Sequence, residues 1–89
     1  MSATRSSPSP LSPHADLYDR IIDALVAARK DAQLSQVVLA ERLGRPQSFV
    51  SKYEHRERIL NVAEFVDIAV AIGGDPISLL AAVLRETTP

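Results

Sequence analysis

The 89-residue chain has no cysteine and no tryptophan, only two tyrosines, two phenylalanines and three glycines, and a net charge of −1. Without cysteine there are no disulfides, thiolate zinc sites, iron–sulfur clusters or cysteine nucleophiles, so stability rests on packing alone. No apolar run approaches the roughly 20 residues that span a bilayer, and the first residues lack the basic-then-apolar order of a secretion signal. A soluble, cytoplasmic protein with no membrane partner is expected. His14 and His55 stand far apart, and there is no metal-spaced cluster and no glycine-rich phosphate loop. Both histidines read as surface residues. Asp16, Asp19 and Asp23 recur at helical spacing near a helix N-terminus, where the helix dipole favours them without any catalytic role. The expectation is therefore no enzyme, no metal, no cofactor and no small-molecule ligand.

A chain this short makes one domain with a thin core. Low net charge argues against a nucleic-acid partner only if charge is spread evenly. It is not. Residues 1–34 are neutral, and residues 59–89 set Arg85 against Glu64, Asp67, Asp75 and Glu86. Residues 35–58 hold Arg42, Arg45, Lys52, Arg56 and Arg58 against Glu41, Glu54 and Glu57, a local excess of +2. Positive charge is concentrated in the middle of the chain.

Residues 1–13 are rich in serine and proline and predict a disordered tail, followed by one domain over 14–86 and a short end at 87–89. Leu17, Ile21, Leu25 and Ala28, spaced by three and four after Ser12-Pro13, predict a first helix over 13–31. Ser35 precedes a second, over 36–43, with Leu39, Ala40 and Leu43 on one face and Gly44 to end it. Pro46 opens a third over 46–55 that carries Phe49, Val50 and Tyr53. Asn61 caps a fourth with Val62, Phe65, Val66, Ala69 and Ile72 on its apolar side, stopped by Gly73-Gly74. Asp75 caps a fifth, with Pro76 first and Ile77, Leu80, Val83 and Leu84 apolar. No strand pattern competes. The fold class is all-α, a compact five-helix domain.

Two short helices joined by a tight turn are best known as a DNA-binding unit whose second helix enters the major groove. Three steric requirements coincide over residues 36–54. Ala40, four residues after Gln36, lets the helices approach; Gly44 sits in the turn; Val50, six further on, locks the angle. The run SQVVLAERLGRPQSFVSKYEHRER resembles the phage-repressor, or Xre (Cro/repressor-like), helix-turn-helix family. The match runs through Ser35-Gln36, Leu39-Ala40, Leu43-Gly44, Gln47-Ser48, Val50-Ser51 and Glu54, and the resemblance covers residues 14–84.

The resemblance implies a five-helix domain whose third helix reads double-stranded DNA, usually as a homodimer on a two-fold operator. Carried over by position, Gln47, Ser48, Ser51 and Lys52 face base edges. Helical geometry agrees, because they lie opposite Phe49, Val50 and Tyr53 and all four donate hydrogen bonds. Gln47 suits a bidentate contact to adenine and Lys52 suits guanine acceptors. The two serines are short enough to read a base, touch a phosphate or only clear space. Gln36 matches the family position that clasps a phosphate, and Arg45, Arg56 and Arg58 flank the third helix as sequence-independent anchors. Glu54 is expected to make an internal contact, since it would repel phosphate. The chain departs from the family pattern at Arg56, where a glycine is expected. Either His55 or Arg56 takes a left-handed turn, or the helix runs on before bending.

The fifth helix is apolar nearly all round and is the candidate dimer interface, through Ile77, Leu79, Leu80 and Val83, against the alternative that it merely closes the core. A transcriptional repressor is the default reading, controlled by abundance or by a partner. The rival is a helical protein-interaction module or antitoxin-like partner protein. Such a surface would be expected to show aromatic or aliphatic anchors on the third helix, where this chain has Gln, Ser, Ser and Lys.

Overall fold

The computed structural model describes residues 12–87 as five helices. They are α1 (Ser12–Asp31), α2 (Gln36–Leu43), α3 (Gln47–Glu54), α4 (Val62–Ile72) and α5 (Pro76–Thr87). Most of the serine- and proline-rich segment expected to be disordered lies outside the described residues, and α1 begins one residue before the expected start. No strand occurs among the described residues, and no single helix there is long and apolar enough to cross a membrane.

Local chemistry sets the starts. The Ser35 hydroxyl accepts from the Val38 N–H, and Asn61 forms a capping box in which its side chain accepts from the Glu64 N–H while Glu64 accepts from the Asn61 N–H. Asp75 accepts from the Ile77 N–H at 3.0 Å and the Ser78 hydroxyl at 2.9 Å. Pro46 departs from expectation. It stands just before α3 with extended backbone, φ −66° and ψ 154°, and makes no side-chain cap bond.

Four helix ends share one geometry. After α1 the N–H of Leu34 reaches the Arg29 carbonyl and that of Gln33 the Lys30 carbonyl, and the same paired bonds close α2 at Gly44, α3 at Arg56 and α4 at Gly73. The geometry needs a left-handed residue at each end. Gly44 and Gly73 supply it at φ 67° and 98°, but Gln33 and Arg56 adopt it with side chains, at φ 61° and 63°. That conformation costs an L-residue with a Cβ roughly 1–2 kcal/mol. Of the alternatives left open after Glu54, the left-handed turn at Arg56 is the one the chain adopts.

The core joins Ile22 and Leu25 of α1, Leu39 and Ala40 of α2, Phe49, Val50 and Tyr53 of α3, and Ile68, Ala69 and Ile72 of α4. Two stripes are rotated from those expected. In α1 the buried line is Ile22, Leu25 and Arg29, with Ile21 only half-buried. In α4 Ile68 is buried, whereas Val62 is 80% exposed and Val66 partly so. Period alone leaves such a choice open where several adjacent positions are apolar.

Tyr53 is fully buried, edge-on to Phe49 at 5.6 Å, and its hydroxyl has no hydrogen-bond partner among the described residues. Burial pushes its pKa up. A buried hydroxyl without a partner carries its full desolvation penalty, so Tyr53→Phe is expected to stabilise the fold by about 1 kcal/mol in urea unfolding. A destabilised variant would show that the hydroxyl has a partner in solution.

Candidate nucleic-acid interface

The three steric requirements read from the sequence meet at the junction of α2 and α3. Ala40 and Val50 are buried between the helices, and Gly44 turns the chain. A Cβ built on Gly44 would meet nothing within 4 Å. Its glycine therefore answers a backbone requirement rather than a lack of room.

A chain of polar contacts runs from the outer face of α3 into the core. Gln47 Nε2 donates to Gln36 Oε1 at 2.9 Å, and Gln36 Nε2 donates to Glu54 Oε1 at 2.8 Å. Arg29 grips the same carboxylate with two bonds, of 2.8 and 3.1 Å, and donates to the Leu34 carbonyl at 2.8 Å. The Arg29 and Glu54 side chains are only 10% and 7% exposed. The hydrogen bond to Glu54 raises the Arg29 pKa against the opposing effect of burial. Glu54 thus makes the internal contact expected of it. Gln36 keeps one Nε2 hydrogen for an outside acceptor, and Gln47 keeps its carbonyl oxygen and one N–H.

On the same face Gln47, Ser48 and Lys52 are exposed and Ser51 is half-buried. The His55 ring nitrogen Nδ1 lies 2.7 Å from the Ser51 carbonyl and 3.5 Å from its hydroxyl. Ser48 and Lys52 have no side-chain partner among the described residues.

The three flanking arginines are less free than sequence position implies. Arg56 is engaged on every side: Nε donates to Asp19 at 3.1 Å, Nη2 to Asp23 at 2.7 Å and to the Asp19 carbonyl, and Nη1 to the Glu54 carbonyl at 2.8 Å. The acidic pair of α1 thus has a structural task that offsets the strain at Arg56, and this arginine does not stand out as an anchor. Arg58 holds both oxygens of Glu64, at 2.9 and 2.8 Å, while Arg45 reaches the same carboxylate at 3.5 Å. Both guanidiniums stack on the Phe49 ring, with centroid distances of 4.3 Å for Arg45 and 4.9 Å for Arg58.

The Arg58 hydrogen bonds, and then the Asn61 backbone N–H, hold the Glu64 carboxyl down at about 2 from its ordinary 4.5. In the unfolded chain this group protonates near pH 4.5, in the folded chain only near pH 2, so its contribution is complete above pH 4.5 and disappears as pH falls towards 2. Wild-type protein is accordingly expected to lose more stability between pH 5 and about pH 3 than Glu64→Gln does, measured by urea unfolding. Equal losses in the two proteins would remove Glu64 from the acid transition.

The fifth helix divides the residues expected at a dimer interface. Ile77 is 78% exposed, and Leu80 is half-buried beside Tyr18, Ile21, Val62 and Phe65 in an apolar groove of about 230 Å³. Leu79 packs against the core, and Val83 is 2% exposed. Val83 departs from the expectation of an outward-facing residue, because it is buried within the chain's own helices.

Sequence reasoning missed Arg29 and Glu64. Each left a trace: Arg29 continues the apolar line of Ile22 and Leu25, and Asn61 with Glu64 three residues on is a capping-box pattern.

A turn-linked helix pair, its second helix presenting donors on an exposed face, is a helix-turn-helix domain. The comparisons agree. The family model described as helix-turn-helix matches residues 25–79. An XRE-family like protein from Pseudomonas syringae pv. tomato has a structure similar to this one, with a TM-score of 0.83 and 47% identity, covering 86% of this chain and 94% of that one. The chain belongs to the XRE-type helix-turn-helix family of DNA-binding proteins. Antitoxin HigA1 of Mycobacterium tuberculosis, found alike in two strains, is 54% identical over 35 residues, or 39% of this chain. Those residues span 24% of the antitoxin's length.

Proposed function

We propose that the protein is a sequence-specific transcriptional regulator that binds a two-fold operator as a homodimer and represses by occluding a promoter. Gln47, Ser48, Ser51 and Lys52 read base edges in the major groove. Gln36 and Arg45 hold phosphates, Gln36 through its remaining N–H and Arg45 through the edge of its guanidinium turned away from Glu64. Arg56 and Arg58, engaged with carboxylates, take no comparable part. The observation that carries this reading is the bond from Gln47 to Gln36, which sets a donor and an acceptor of one amide on the exposed face before DNA arrives. One copy reads only a few base pairs, so two recognition helices about 34 Å apart supply the specificity. Ile77 and Leu80 are the surface offered for pairing.

The test is selection of bound duplexes from a random pool at one fixed salt concentration, run beside a Gln47→Ala, Lys52→Ala variant. Wild type is expected to enrich a palindromic motif, which the variant binds at least about tenfold more weakly, the loss of one good base contact. No enrichment would turn attention to a second reading, favoured by the partial match to an antitoxin, in which the apolar groove between α1 and α4 receives a protein partner.

A further inference from the structure

The five cations that make the middle of the chain basic do not remain a basic patch once it folds. Arg56 is taken by Asp19 and Asp23, and Arg58 and Arg45 share Glu64. Arg42 donates to the Ala71 carbonyl at 2.9 Å. Lys52 alone has no partner among the described residues. The three carboxylates involved, Asp19, Asp23 and Glu64, come from α1 and α4, outside the basic segment, and outnumber its local excess of +2.

We propose that Glu64 sets the sequence-independent affinity for DNA: by holding Arg58 against Phe49, it withholds a positive charge from the phosphate backbone. The inference rests on the DNA-binding reading above and says how tightly that site holds DNA of any sequence. Affinity for any duplex grows with the number of phosphates neutralised, and each adds about 0.9 to the slope of log affinity against log salt. Phosphate contacts carry no sequence information, so fewer available cations lower the affinity for every duplex by about the same factor. Geometry favours retention by Glu64. Arg58 is bound through both terminal nitrogens, its plane lies on an aromatic ring, and the carboxylate is itself fixed by the Asn61 N–H at 3.0 Å. Arg45, at 3.5 Å from one oxygen and 43% exposed, is the looser of the two.

The experiment titrates the full chain against the selected duplex and a scrambled duplex of equal length, over a series of salt concentrations. Glu64→Gln keeps an oxygen for the Asn61 N–H and loses the charge. It is expected to bind the scrambled duplex about tenfold more tightly at low salt, with a slope steeper by about 0.9, one phosphate. The selected duplex gains by about the same factor, so the ratio between them is unchanged. Glu41→Gln, on the exposed side of α2, changes net charge equally and holds no arginine; its slope stays that of wild type. The double variant Arg58→Gln, Glu64→Gln removes the withheld charge together with its counter-charge, and leaves scrambled-duplex affinity within about twofold of wild type and the slope unchanged. A Glu64→Gln slope equal to wild type, weaker binding to both duplexes, or a double variant whose slope is as steep as that of Glu64→Gln alone would overturn the proposal. Failure of wild type to prefer any duplex overturns the DNA-reading assignment instead, because the scrambled-duplex slopes remain measurable.

Discussion

Arg29→Met is expected to destabilise the domain by about 3–5 kcal/mol, because it leaves the Glu54 carboxylate buried with a single amide donor. Small domains have only about 5–15 kcal/mol of net stability, so much of the molecule should unfold at modest urea concentrations. The size of the effect comes from the stranded charge, not from a large net contribution by the pair. Replacing both partners, as Arg29→Met with Glu54→Leu, should recover most of the loss, since a buried ion pair and a well-packed apolar pair are often close in free energy. The double variant separates folding from recognition. Gln36 loses its anchor, Gln47 is no longer held through it, and operator affinity should fall while the helices persist. Circular dichroism in urea and binding to the selected duplex measure the two effects. A double variant as unstable as the single one would mean that the pair itself supplies the stability, and full operator affinity would mean that the amide chain does not order Gln47.

Val83→Glu and Ile77→Glu, two changes on one helix, should behave in opposite ways. Val83 is 2% exposed, and a carboxylate there is taken out of water, so a loss of about 4 kcal/mol is expected and the thermal transition should drop steeply. Ile77 is 78% exposed and sits in the first turn of α5, where a negative charge is favoured by the helix dipole. Stability of Ile77→Glu should stay within about 0.5 kcal/mol of wild type. If α5 joins two copies, that variant is monomeric in sedimentation and binds the operator at least about tenfold more weakly. A wild type that sediments as a monomer removes the dimer, and an Ile77→Glu variant that remains dimeric places the subunit contact elsewhere.

The contrast between those residues shows where reading from sequence ran out. Ile77, Leu79, Leu80 and Val83 are all aliphatic and all lie on a helix apolar nearly all round, so nothing local separates those that face the core from those that face outward. Packing of α5 against α1 and α4 decides it. The Glu54 contact was legible because a carboxylate beside a phosphate-binding surface needs a reason to be there. Its partner Arg29, 25 residues earlier, was not, because only the packing of α1 against α3 brings the two together.

The sequence by itself determined the helices and the family. Ser35, Asn61 and Asp75 start helices, and Gly44 and Gly73 end them, through bonds that span at most five residues, and the Gln-Ala-Gly-Val pattern of α2 and α3 is set by contacts between neighbours along the chain. The tertiary structure alone decided what the charges do. Arg56 reads as a lone surface cation until α1 places Asp19 and Asp23 beside it from 37 and 33 residues away. Arg58 reads as a free surface cation until α4 brings the Glu64 carboxylate against it. Caps and turns are satisfied within one or two helical turns and so are written locally, whereas an ion pair needs only proximity, which any two segments can supply once the core has folded.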